Sequence, residues 1–150
     1  MQEFRVSGLV DAKMNIQIGR VCVAWSMLEL TVERLIWHLS GIGPKQGRKL
    51  TAKEDIAPRL KLLKKLAKKL PLADAKEIRG AITQIDEAKK KRNFVVHGLY
   101  GIDVKNKLHA ISYRDDIKGR AIRADVVLMR KIRGDIIEAQ KRLEKLLPIQ

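Results

Sequence analysis

A chain of 150 residues, 45% apolar and 33% charged, has the make-up of one folded domain with its own core, which excludes a disordered or fibrous chain. Its 32 Lys and Arg against 17 Asp and Glu give a net charge of +15, a field that draws in phosphate polymers or anionic surfaces. One cysteine, Cys22, and three scattered histidines argue against a disulfide framework or a structural zinc site, and they fit a reducing, cytoplasmic setting.

No apolar stretch reaches the roughly 18 residues of a membrane span. The opening MQEFRVSGLVDAK lacks the basic-then-apolar layout of a secretory signal. Ile18, Val21, Trp25, Leu28, Val32, Leu35 and Leu39 step by three and four, which predicts a helix over 13–40. Gly41-Ile42-Gly43-Pro44 stops it. Cys22, Leu30, Ile36 and Trp37 widen its apolar band beyond the needs of a surface helix. A band that wide means central burial in a bundle, or a face shared with a second subunit.

The charge concentrates next. Residues 1–40 balance four basic against four acidic side chains, whereas residues 41–70 hold ten basic against Glu54 and Asp55. Residues 71–90 balance again, and residues 91–150 supply the remaining +7. Thr51 and Glu54 have the spacing of a capping box at the start of a second helix, with Pro58 kinking it or delaying its start. Ile56, Leu60, Leu63, Leu66 and Leu70 line one side, lysines the other, and Pro71 closes it. Such a lysine helix is either a solvated face or a phosphate-binding one. Its leucine-width apolar side, with a core to receive it, argues against membrane binding.

A third helix is predicted over 73–97, with Ile78, Ile82, Ile85 and Ala88 as its core stripe and Gly98 as its stop. Tyr100, Ile102 and Val104 then alternate, and after Lys105-Asn106-Lys107 the run Leu108–Tyr113 is again strand-like, so a β-hairpin is expected. Residues 114–123 form a charged loop, extended at Ala121-Ile122-Arg123. Asp125 suits the N-cap of a last helix, which Leu128, Ile132, Ile136, Ala139, Leu143 and Leu146 carry to Pro148 across Gly134.

The chain has no phosphate-cradling glycine loop, nucleophile elbow or metal-ligand pair, and it lacks the short helix-turn-helix of many DNA-binding proteins. His38 and His109 suit structural or solvated roles. His97 stands at the end of a basic helix, five residues after Arg92 and four after Asn93. Asn93 and His97 share a helix face. Arg92 lies about 140° and 7.5 Å from His97 along the helix and must reach forward to join them. An imidazole exchanges protons near neutral pH, and a guanidinium grips a phosphate in two-point fashion. RNA cleavage by its own 2′-hydroxyl asks for those groups: a base, an acid and a cation. Two histidines, one from each of two chains about a two-fold axis, would supply both base and acid. The plainer reading has Arg92 pairing with Asp86 or a helix-end carbonyl, and His97 capping the helix C-terminus, where a cation is favoured.

The segment Arg92-Asn93-Phe94-Val95-Val96-His97-Gly98 resembles the Arg-x(4–6)-His signature of HEPN domains (higher eukaryotes and prokaryotes nucleotide-binding), in which a polar residue follows the arginine. Its place at the end of the third helix, the Trp25–Ile42 stretch with Leu28-Glu29, and the hairpin after His97-Gly98 also resemble small bacterial members. The resemblance covers most of the chain in layout and seven residues in detail. It implies an all-α fold, a four- to five-helix bundle of residues 1–150 with a short β-hairpin between the third and fourth long helices. It implies a homodimer with motif-bearing helices facing, and a metal- and cofactor-independent endoribonuclease of a toxin–antitoxin or phage-defence kind, with Arg92, His97 and Asn93 as site residues. Arg48, Lys49, Lys61, Lys64, Lys65, Lys68, Lys69 and Lys91 are expected to contact the RNA backbone. Some HEPN proteins pair with a nucleotidyltransferase antitoxin, and one such group carries His-x-Tyr. Here His97-Gly98-Leu99-Tyr100 is one residue longer, so Tyr100 is left open, as are Glu29, Glu33 and Asp86 as a nearby carboxylate. A non-catalytic RNA- or nucleotide-binding module, or a regulatory subunit with a basic face, is the alternative.

Overall fold

The computed structural model describes residues 5–6, 10–52, 55–112 and 120–148. It is mostly helical, with elements in the order β1 (Arg5–Val6), α1 (Ala12–Leu39), α2 (Pro44–Thr51), α3 (Ile56–Ala67), α4 (Leu72–His97), β2 (Leu99–Ile102), β3 (Leu108–Ser112), β4 (Arg120–Arg123) and α5 (Val126–Glu144). Contacts divide the chain into two units, Met1–Val23 with Glu87–Gly134 and Ala24–Asp86 with Asp135–Gln150. The boundaries fall inside α1, α4 and α5.

In the first unit, Asp11 caps α1 by accepting the Met14 N–H at 2.7 Å. The expected hairpin is the centre of a four-stranded antiparallel sheet of order β1-β2-β3-β4, so the chain is not purely helical. Leu99 faces Ile111, Tyr100 faces Ala110, and Gly101 faces His109. The stretch expected to be extended at Ala121–Arg123 is in β4, which lies along β3. Residues 114–119 of that loop and Tyr113 lie outside the described residues. Asp103 organises the β2–β3 turn. Its Oδ1 accepts the N–H groups of Lys105 and Lys107 at 2.8 and 2.9 Å, and Asn106 takes a left-handed φ of 56°. Asp125 caps α5 as expected, accepting the Leu128 N–H at 2.8 Å. Met14, Val21, Ala88, Val95, Ala110, Ile111, Met129 and Ile132 are buried in this unit.

In the second unit, Trp25, Leu28, Val32, Leu35, Ile36 and Trp37 of α1 are buried, as are Leu60 and Leu63 of α3, Ile78 and Ile85 of α4, and Ile136 and Leu143 of α5. The wide apolar band of α1 is therefore buried at Ile36 and Trp37, while Leu30 stays exposed. Gly41, at φ 67°, ends α1: Ile42 N–H donates to Trp37 O and Gly41 N–H to His38 O, both at 3.1 Å. That pair of bonds is the Schellman stop that needs a left-handed residue.

The capping box is corrected here. Thr51 closes a separate short helix, α2, and Glu54 lies outside the described residues. Asp55 stands at the N-cap of α3. Pro58 falls in the first turn of α3, where no intrahelical N–H is needed, so it delays the start of the helix instead of kinking it. The Trp37 ring lies so close against Gly47 that a Cβ there would overlap its atoms, and Trp37 Nε1 donates to Thr51 Oγ1 at 3.2 Å.

Candidate functional site

The last two turns of α4 carry the basic run that ends in the motif. Val95 is buried and anchors this stretch, Arg92 and Asn93 are half-buried, and His97 is exposed. The Arg92 side chain does reach forward. Its Nη1 donates to Asn93 Oδ1 at 3.2 Å and stands 3.1 Å from His97 Nε2. A guanidinium has no acceptor, so Nε2 is the acceptor in this contact, which selects the tautomer that carries its proton on Nδ1. One cationic nitrogen thus ties together all three residues of the motif. The group holds a hydrogen-bonding amide, a fixed cation and an imidazole whose basic nitrogen faces that cation.

Gly98 and Tyr100 fix the end of the helix. Gly98 N–H donates to Phe94 O at 3.0 Å, and a Cβ on Gly98 would overlap Phe94 O and stand 3.0 Å from Ile111 O. Only glycine lets β3 approach so near to the helix end. Tyr100 then turns back, its hydroxyl donating to the Val95 carbonyl. Burial, with a smaller contribution from the neighbouring Cys22, pushes its phenol up to about 12. Tyr100 therefore ties β2 to the last turn of α4. His109 Nε2 lies 3.0 Å from Asp103 Oδ2, inside the sheet's turn. The hydrogen bonds to Lys107, His109 and Lys105 hold the Asp103 carboxyl below its usual value.

The carboxylates left open separate by what they touch. Glu33 is 3.0 Å from Arg59, in a largely buried pair, and Arg59 also donates from Nε and Nη2 to Thr51 O at 3.2 and 2.9 Å. Glu33 is thereby committed to holding α3 against α1 and the end of α2. Glu29 is half-buried and Asp86 exposed.

The lysines of α3 form a feature of the second unit. Lys61, Lys64, Lys65 and Lys68, with Pro58 and Leu62, line an open groove of about 450 Å³. Lys69 is exposed next to it in sequence, Arg48 and Lys49 are exposed at the end of α2, and Lys91 is half-buried on α4. Among the described residues, no three of His, Cys, Asp and Glu are grouped to hold a metal ion, and no helix is long and apolar enough to cross a membrane.

The chain matches no family model, no curated protein and no solved structure in the comparisons made.

Proposed function

We propose that the chain is a metal-independent endoribonuclease of the HEPN type, of the kind found in toxin–antitoxin and phage-defence systems, acting as a homodimer. The Arg92–Asn93–His97 cluster supports this reading. When a phosphodiester arrives, its anionic oxygens offer Arg92 stronger partners than His97 does, because charge-assisted bonds to phosphate are two-point and short. Moving the guanidinium to the phosphate uncovers His97 Nε2. That nitrogen accepts the proton of the 2′-hydroxyl as its oxygen attacks phosphorus. The bond to the 5′ oxygen breaks, leaving a 2′,3′-cyclic phosphate. A protonated His97 from the second copy gives its proton to the departing 5′ oxygen. Arg92 stabilises the charge that builds on the non-bridging oxygens, and Asn93 orients the ribose or the phosphate. The lysines of α3 track the strand by phosphate contact, which gives steep salt dependence and little base preference.

The test is incubation of the purified protein with single-stranded RNA in the presence of a chelator. Cleavage to cyclic-phosphate ends, lowered about 10²–10⁴-fold in His97→Ala, supports the reading. Intact RNA, or equal cleavage by the variant, overturns it.

The groove of α3 lysines favours a second reading, a module that holds RNA, or an acidic partner such as an antitoxin, without cutting. RNA retained at moderate salt without cleavage, unchanged by His97→Ala, selects it.

A further inference from the structure

Helix α1 has a solvent-facing side that the chemistry above leaves unused. Ile16, Val23 and Leu30 lie seven apart on it and are 55%, 66% and 40% exposed, and Met27 is 48% exposed. Seven residues are close to two full turns, so these side chains form one strip that rises about 21 Å. Gly19 and Ser26, both exposed and again seven apart, lie in the same strip, and a Cβ added to Gly19 would meet nothing within 4 Å. From residue 16 to residue 30, Arg20 is the sole charged side chain among the exposed positions. On a chain of net +15, such a strip is where a like-charged copy can approach without crowding cations together.

The strip is also evenly spaced about its middle. Ile16 and Leu30 stand seven residues to either side of Val23, and Gly19 and Met27 four to either side. We propose that α1 pairs antiparallel with α1 of a second copy of this chain, with the two-fold axis at Val23. Each Ile16 then comes level with Leu30 of the other copy, each Met27 with Gly19, and Val23 with its own counterpart. Met27 fills the room that Gly19 leaves, which meets the demand of a two-fold interface that one patch complement itself. Cys22, beside the axis, neighbours the phenol of Tyr100, which is three residues past His97. A pair formed in this way supplies the second copy that the ribonuclease reading calls for. This deepens the ribonuclease reading, from which it takes only the expectation of a pair, and its test measures no cleavage.

In sedimentation velocity the wild-type chain should run as a dimer that dissociates on dilution, and Val23→Glu and Met27→Glu should each run as monomers with unchanged helical circular dichroism. In a Cys22→Ser background, Val23→Cys should give a covalent dimer under mild oxidation. Ile16→Cys and Leu30→Cys should each give no covalent dimer alone and should cross-link when the two variants are mixed. A chain that is monomeric at every concentration overturns the proposal. So does a dimer that survives both glutamate variants and fails to cross-link at position 23; that result leaves a ribonuclease pair possible through another face, to be judged by RNA cleavage alone.

Discussion

Arg92 reaches five residues along its own helix to place Nη1 3.1 Å from the Nε2 of His97. Neither residue would meet the other on an ideal helix face, and the length of the arginine closes the gap. The contact sets the tautomer of His97, since only an unprotonated Nε2 accepts from a guanidinium. Nitrogen-detected NMR of the protein at neutral pH should therefore show His97 with its proton on Nδ1. In Arg92→Ala the balance should move toward the Nε2–H form that free imidazole side chains favour. A tautomer that does not respond to Arg92 would show that the contact does not form in solution.

Gly98 is where the helix end and the sheet come closest. Gly98→Ala would press a methyl group into backbone oxygens of Phe94 and Ile111, neither of which can rotate away. We expect a loss of about 1–3 kcal/mol of stability, as for overpacking elsewhere, read as a lower midpoint in thermal unfolding. Any RNA cleavage should fall with it, because the methyl displaces the residue next to His97. Leu99→Ala, at a side chain that is 55% exposed, is the control and should leave both nearly unchanged.

Tyr100 links stability to alkaline pH. Its folded pKa of about 12 lies above the ordinary value of 10.0, so the unfolded chain loses this proton first. Folding is then favoured fully below pH 10, and the contribution is lost as pH rises from 10 toward 12. Tyr100→Phe should remove this share of the alkaline decline, measured as the difference between wild-type and variant melting curves over that range. In a Tyr113→Phe background, absorbance at 295 nm should show native Tyr100 ionising well above pH 10.

The β2–β3 turn should be acid-sensitive for the opposite reason. Asp103 is held below its usual value, first by the Lys107 N–H and then by His109 and Lys105. Its contribution is present above the unfolded carboxylate value and is lost as pH falls through the lower folded one. Asp103→Asn, which keeps an acceptor but not the charge, should flatten this acid-side loss. Asp103→Ala should weaken the sheet at all pH values, seen as faster amide exchange at Lys105 and Lys107.

Much of the frame can be read along the chain. The stepping of Ile78, Ile82, Ile85 and Ala88, the Gly41 stop, the Asp125 cap and the strand alternation after Gly98 are local signals, and the folded chain uses each of them. Asn93 and His97 share a face by the same local arithmetic. Thr51 shows where local reading fails. Its spacing to Glu54 imitates a helix start, yet its hydroxyl receives the Trp37 indole N–H and donates to Gly47 O, which makes it the end of α2. The eight residues of α2 have little apolar pattern of their own. They are helical because Gly47 and Thr51 pack on Trp37, ten and fourteen positions away in sequence.

The amino-acid sequence alone determined the surplus of cations, the stop of α1 at Gly41, the start of α5 at Asp125 and the presence of an arginine, an amide and an imidazole within six residues at a helix end. These depend on neighbours in the chain, whose geometry a helix fixes. Tertiary structure alone decided that Glu33 belongs to Arg59, that the Tyr100 hydroxyl is spent on the Val95 carbonyl, that two further strands flank the hairpin, and that Ile16, Val23, Met27 and Leu30 are left facing solvent. Each of those outcomes is a choice among distant partners, made by packing and side-chain reach, and no periodicity in the sequence encodes it.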